Sequence, residues 1–371
     1  MKKIVCAILV VTMLLSLAAC ATTPPPAVSP ETAAGEKPQP AASAGKELNI
    51  AFFMFENSNT FTTYIRKGME AYGKEKNVIV ESFDGKSDQA TQTDGIAAAL
   101  AKDKYDLIVV NPVDSGAGAT ISAMCKEKGI PVIYADRAPD LVGGVLDQYD
   151  KSYYVGLDWS DPGAVQAQMV YEDWKKDQQK MDKNGDGILQ YVLLQGNVAQ
   201  QNAIFRCAAI RDLFEGWNQD GTMKTFELDN QDGNWSSDKG KDIMDTWNVK
   251  YGDKIEAVLV NNDTMAMGAI ESLKTAGVFS GDKAPYVYGI NGIPDVWELI
   301  EDGYMTGTVL TSPYREAMAI IDMSVNICNS KDPLDGTKLA WGEFKKDIRI
   351  DDVGIRLNNL GIAKEDFSAC L

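Results

Sequence analysis

The stretch Asp182-Lys183-Asn184-Gly185-Asp186-Gly187-Ile188-Leu189-Gln190 spaces its oxygen donors as a hard cation requires. Asp182, Asn184 and Asp186 offer side-chain oxygens at positions one, three and five. Gly187 at position six permits the sharp turn, Ile188 at seven lends its backbone carbonyl, and Gln190 fills position nine. These are the first nine positions of an EF-hand calcium loop. A plain Asp/Asn/Gly turn would not need that spacing. Position twelve, where a bidentate Glu belongs, is Leu193. Such an ion takes six to eight oxygens, so a carboxylate must come from elsewhere in the fold. No pair of opening helices flanks the loop, which points to a structural ion rather than a sensor.

A second set of polar groups stands where apolar runs stop: Glu56-Asn57, Asn111, Asp136, Gly196-Asn197, Asn261-Asn262-Asp263, Asn291 and Thr311. Any one of them can be a helix N-cap, and Asp263, directly before the Thr264 helix, is expected to be one. Together they describe a polar small-molecule site. The chain has no histidine, which excludes Ser-His-Asp and Cys-His catalysis and His-ligated zinc. A net charge of −17 repels phosphate backbones, which argues against nucleic-acid binding.

The elements that carry these tips repeat. Ile50–Phe55, Leu107–Val110, Val132–Tyr134 and Tyr153–Val155 are buried-strand patterns, and helical spacing follows at Ile65, Met69, Tyr72 and at Ile121. The second half repeats the scheme with strands at Tyr191–Leu194, Ala257–Val260, Tyr286–Tyr288 and Thr308–Leu310. Its helices carry Ile210, Leu213, Phe214, Trp217 and then Ala266, Ile270, Leu273, with a stop at Gly277. Continuous apolar strands alternating with helices predict parallel sheets covered on both faces. Two such sets in 371 residues predict an α/β protein of two lobes. In open sheets of this kind ligands bind beyond the carboxyl ends of the strands, so facing lobes would gather the tips around one cleft.

The first residues are an address. Met1-Lys2-Lys3 precedes an apolar run, Ile4–Leu17, too short to span a bilayer comfortably. It ends in Leu17-Ala18-Ala19-Cys20, which resembles the lipobox of bacterial lipoproteins: a signal peptide over 1–19 and a lipidated Cys20. Residues 20–46 are rich in Pro, Ala, Ser and Gly and read as a tether holding the body off the membrane. Lys2, Lys3, Lys37 and Lys46 outweigh Glu31 and Glu36, so the body from Glu47 onward carries −19. Cys125 and Cys207 sit on apolar helical faces as core thiols, whereas Cys328 and Cys370 could pair in an exported protein.

With these features in place, the chain resembles the periplasmic galactose/glucose-binding proteins, the ligand receptors of sugar ABC importers. The resemblance runs from about Leu48 to Asp332. It is carried by Tyr149-Asp150-Lys151-Ser152-Tyr153-Tyr154-Val155-Gly156, the calcium loop, Asn261-Asn262-Asp263-Thr264-Met265-Ala266-Met267-Gly268-Ala269 and Gly307-Thr308-Val309-Leu310. It implies two Rossmann-like lobes joined by a three-strand hinge, the fold of type I periplasmic binding proteins. The N-terminal lobe would take 47–156 plus 312–329, and the C-terminal lobe 157–310 plus 333–371. It also implies that Glu256 completes the calcium shell, that Phe61 and Trp235 sandwich the sugar ring, and that Arg206 and Asn262 bond its oxygens.

Six further positions implied in the site depart from the family pattern. Asn59, Asn202 and Asn291 stand where Asp is usual, Asp136 and Thr311 where Asn is usual, and Gln200 where His is usual. An amide forms weaker neutral bonds than a carboxylate but can also donate. The expected ligand is therefore a neutral monosaccharide, with a glucose- or galactose-like hexose ahead of pentose. The expected partner is an importer permease, with a chemoreceptor as a second possible listener. Membrane attachment is expected through the lipid alone, in the periplasm or at the cell surface, on a monomeric chain. A sugar-acting enzyme would need paired carboxylates flanking a bond, and the tips offer only Asp136 and Asp263.

Overall fold

The computed structural model describes residues 46–140, 144–157, 160–281 and 284–339, and the backbone of Asp347–Arg349. The signal peptide, Cys6, Cys20, nearly all of the tether and Cys370 lie outside the described residues. Among the described residues no helix is long and apolar enough to cross a membrane.

The first lobe is built from β1 (Leu48–Met54), α1 (Thr60–Glu75), β2 (Val78–Asp84), α2 (Gln89–Leu100), β3 (Leu107–Val110), α3 (Gly118–Lys128), β4 (Val132–Ala135) and β5 (Ser152–Gly156). The second holds α4 (Ser160–Lys176), the short α5 (Gln178–Met181), β6 (Leu189–Gln195), α6 (Gln201–Asp220), β7 (Thr225–Asp232) and α7 (Ser237–Tyr251). It continues through β8 (Ala257–Val260), α8 (Asp263–Thr275), β9 (Tyr286–Asn291), α9 (Trp297–Glu301) and β10 (Gly307–Leu310). Then α10 (Pro313–Cys328) returns to pack on α1, and β11 (Asp347–Arg349) adds an outer strand beside β5.

All pairings are parallel, and the two sheets share one strand order. It is β2-β1-β3-β4-β5 in the first lobe, extended by β11, and β7-β6-β8-β9-β10 in the second. Each β8 side chain takes one side of its sheet in turn. Val258 and Val260 join the core shared with α7 and α8, while Ala257 and Leu259 join the core beneath α4 and α6. That double coverage is why the strands are apolar without alternation.

Two expectations need correction. The C-terminal lobe was expected to hold 333–371, yet Asp347–Arg349 pairs in register with Tyr154–Gly156 of the N-terminal lobe. Without that strand the outer edge of β5 would leave its backbone donors and acceptors without sheet partners. Of the three crossings expected in the hinge, the described residues contain one in full, at 310–313; the one that follows β5 passes through residues 158 and 159, outside the described residues. Asp263 is not the cap of α8: Asn262 is, accepting from the Met265 N–H at 2.9 Å.

Candidate ligand cleft and calcium loop

The shared strand order places equivalent tips opposite each other. Asn111 ends β3, and its amide donates to the Ala135 carbonyl and to Asp136. Asn261 ends β8, and its oxygen accepts from the Gly196 N–H and the Cys207 thiol. Both are fully buried and brace the layer beneath the ligand site. Gln92 does similar work in the first lobe, donating to the Met54 and Asn111 carbonyls and accepting from Val113 N–H. Gln166 does it in the second, donating to the Val260, Tyr288 and Gly289 carbonyls.

Above these braces lies a narrow cavity, partly open to solvent. Eight expected residues line it: Asn59, Phe61, Asp136, Asn202, Arg206, Trp235, Asn262 and Asn291. The first three come from one lobe and the other five from the second. Asn59 and Asn262 serve twice, since each also caps a helix, α1 through Thr62 N–H and α8 through Met265 N–H. Capping holds one end of each amide and fixes the rotamer that faces the cavity.

Two expected residues stand behind the wall. Thr311 is buried and accepts from the Asn291 amide at 3.1 Å. Gln200 accepts the indole N–H of Trp235 at 2.6 Å and borders a neighbouring crevice with Ser115, Arg137 and Asn202. Both position a lining residue. Conversely, Phe55 and Arg137 line the cavity and were not expected. Phe55 closes an apolar run and looked like one more strand residue. Arg137 directly follows the Asp136 tip, which was its only signal. Its guanidinium lies 3.8 Å from the Phe55 ring centre and donates to the Pro112 carbonyl.

The backbone is strained where the site is built. Asp136, Asn234, Trp235 and Asn291 all take positive φ, between 46° and 129°. For a bulky residue such as Trp235 this is unfavourable unless the surroundings enforce it. Here Asp232 accepts the Asn234 N–H, the Ser236 N–H returns to Gly233, and the indole covers Gly196.

Charge in the site is concentrated. Burial lowers the Arg137 and Arg206 guanidinium pKa values to about 10, with Asp136 opposing the shift, so both stay cationic at neutral pH. Burial pushes the Asp136 carboxyl up, while Arg137, Arg206 and Asn111 pull it down. Behind it on α10, Glu316 is fully enclosed. Burial and then repulsion from Asp136 drive its carboxyl well above 4.5. Asp263 is raised to about 7 by burial, although it accepts from Thr308 and from the N–H groups of Gly292 and Ile293. The site thus presents two cations, one acid, four amides and three aromatic rings. It can accept and donate many hydrogen bonds, and no pair of carboxylates flanks a scissile bond.

A model of the periplasmic binding protein domain matches residues 50–332. The chain belongs to the periplasmic binding protein family. This binding protein is 30% identical over 322 residues to the D-galactose/methyl-galactoside binding periplasmic protein MglB of Haemophilus influenzae, covering 86% of this chain and 93% of that one. It is 26% identical to the ribose import binding protein RbsB of Bacillus subtilis, over 84% and 89% of the two chains. Its fold matches an ABC transporter solute binding protein of Bacillus halodurans, solved with myo-inositol, at a TM-score of 0.68 and 22% identity, over 88% and 100% of the chains. It is a solute-binding protein and not an enzyme.

The Asp182–Gln190 loop of this binding protein, expected to hold calcium, is assembled as a unit. Asp182 accepts the N–H groups of Gly185, Asp186 and Gly187. The side chains of Asn184, Asp186 and Gln190 meet one another at 2.8–3.1 Å. Glu256, distant in sequence, reaches both ends of the loop by accepting the Lys183 and Gln190 N–H groups at 2.7 and 2.8 Å. Burial, with Asp182 nearby, raises its carboxyl pKa. Among the described residues no three acidic, Cys or His side chains cluster. Asp182, Asp186 and Glu256 therefore do not converge as a carboxylate cluster, and the oxygens available along the loop are theirs together with those of Asn184, Gln190 and the Ile188 carbonyl. That all-oxygen set suits calcium.

Proposed function

We propose that this chain is the receptor of a sugar ABC importer, binding one neutral monosaccharide between its lobes and presenting it to a permease. The observation that carries this is the single cavity shared by Phe61, Asp136, Arg206, Trp235 and Asn262. Apolar C–H faces of a sugar pack on aromatic rings while its hydroxyls bond at the rim. A forked guanidinium such as Arg206 donates to two oxygens at once. Because residues from both lobes contribute, a ligand that touches both favours the closed form.

The ligand proposed is a hexose of the galactose or glucose kind. The relative at 30% identity, named for galactose and methyl-galactoside, favours it. A calcium ion held by Asp182, Asn184, Asp186, Ile188, Gln190 and Glu256 would tie the α5–β6 turn to the start of β8. Cys20 would carry the lipid, and the body would act as a monomer outside the cell membrane. Titrating the protein with galactose, glucose, ribose, myo-inositol and galacturonate, followed by tryptophan fluorescence, tests the ligand class. Saturable binding of a neutral sugar supports it, and binding of galacturonate alone would overturn it. Sensing without transport is the competing role: loss of uptake of the bound sugar on deleting the gene supports transport, and unchanged uptake removes it.

A further inference from the structure

The Tyr64 hydroxyl donates to Oδ2 of Asp295 at 3.0 Å. Tyr64 lies on α1 of the first lobe, and Asp295 in the loop after β9 of the second, so this bond crosses the cleft. Neither residue lines the ligand cavity. Each nevertheless adjoins it, Tyr64 one helical turn beyond Phe61 and Asp295 four residues beyond Asn291.

Both ends are held in place. The Tyr64 ring is only 8% exposed in the α1 packing face, with Lys67 above it. On the other side, Asp263 clamps the Gly292 and Ile293 N–H groups, and the Trp297 indole donates to the Gly292 carbonyl. Pro294 then fixes the backbone directly before Asp295. A donor and an acceptor on rigid supports meet only in one placement of the two lobes.

We infer that Tyr64 and Asp295 latch the lobes closed and so set how long a ligand stays bound, although neither touches it. The latch acts on the two-lobed sugar receptor proposed above. A hydrogen bond present in the closed form and absent in the open one shifts that equilibrium by its own free energy, whatever the ligand. Both are positioning residues, acting through closure of the cleft on Phe61 and Asn291.

Stopped-flow kinetics on the full protein with its bound sugar test this. Tyr64→Phe removes the donor and keeps the ring, and Asp295→Ala removes the acceptor. Each should speed dissociation about three- to tenfold, the range of one net hydrogen bond, with association unchanged. The double variant should release no faster than either single one, and Asp295→Asn, which keeps an accepting oxygen, should stay near wild type. Unchanged dissociation in Tyr64→Phe, or additive effects in the double variant, would overturn the latch. If no sugar binds the wild type, the receptor proposal fails separately. The latch is then decided by the distance between spin labels on the two lobes without ligand. It predicts a closed population that Tyr64→Phe loses, and identical distributions would overturn it.

Discussion

The indole N–H of Trp235 donates to Oε1 of Gln200 at 2.6 Å, joining a ring expected to cover the sugar to the residue before α6. Trp235 holds a left-handed backbone conformation that a tryptophan rarely adopts, and this bond is one of the restraints that keep it there. Gln200→Leu removes the acceptor at similar size. Sugar affinity should fall about tenfold, the cost of one net hydrogen bond near 1.4 kcal/mol, with the melting temperature little changed. Calorimetry of the variant beside wild type checks it.

The second restraint on Trp235 is Gly196, whose missing Cβ leaves room for the indole. A Cβ added there would lie 2.1 Å from the ring. Gly196→Ala should therefore fold normally but displace Trp235 and weaken binding, with a shift in tryptophan emission. An unshifted spectrum with wild-type affinity would show that the ring does not need that space.

The proposed calcium site predicts a response to chelation. EGTA should lower the melting temperature, because an ion that binds only the folded state stabilises it by mass action. Glu256→Gln should melt lower than wild type and lose most of its response to EGTA. An EGTA melt identical to the calcium melt would reject the ion.

Glu316 predicts a pH dependence with a definite sign. A carboxyl held well above its ordinary 4.5 in the folded protein keeps its proton longer there than in the unfolded chain. Its contribution is complete below about 4.5 and is lost as pH rises toward the raised folded value. Glu316→Gln resembles the protonated form, so the variant should gain stability relative to wild type as pH rises from 4.5. Each unit of raised pKa corresponds to about 1.4 kcal/mol. Urea melts from pH 4 to 9 measure this, and parallel profiles would contradict it.

Eight strands were legible in the sequence because β1, β3, β4, β5, β6, β8, β9 and β10 are buried as near-continuous apolar runs. The strands β2 and β7 were not: each is an outer strand, and unlike the outer strand β10, whose four residues are all buried, each is largely only half-buried. Thr225–Asp232 is half-exposed and largely polar, and a strand of that kind has no run to detect. In the site, eight lining residues were legible through the tips and the family resemblance. Gln200 and Thr311 were expected to touch ligand but stand one layer behind, a distinction that depends on rotamers and not on spacing. Arg137 was missed because an arginine after a polar tip reads as solvated, whereas here it is 5% exposed and stacked on Phe55.

The most direct test is calorimetric titration of the purified protein and of its Trp235→Ala variant with galactose, glucose, ribose and myo-inositol. The account predicts one-to-one binding of at least one neutral sugar by the wild type. It also predicts loss of about 2 kcal/mol or more in the variant, the worth of a buried aromatic face, without loss of fold. Equal affinity in the two proteins, or no heat from any of the sugars, would contradict it.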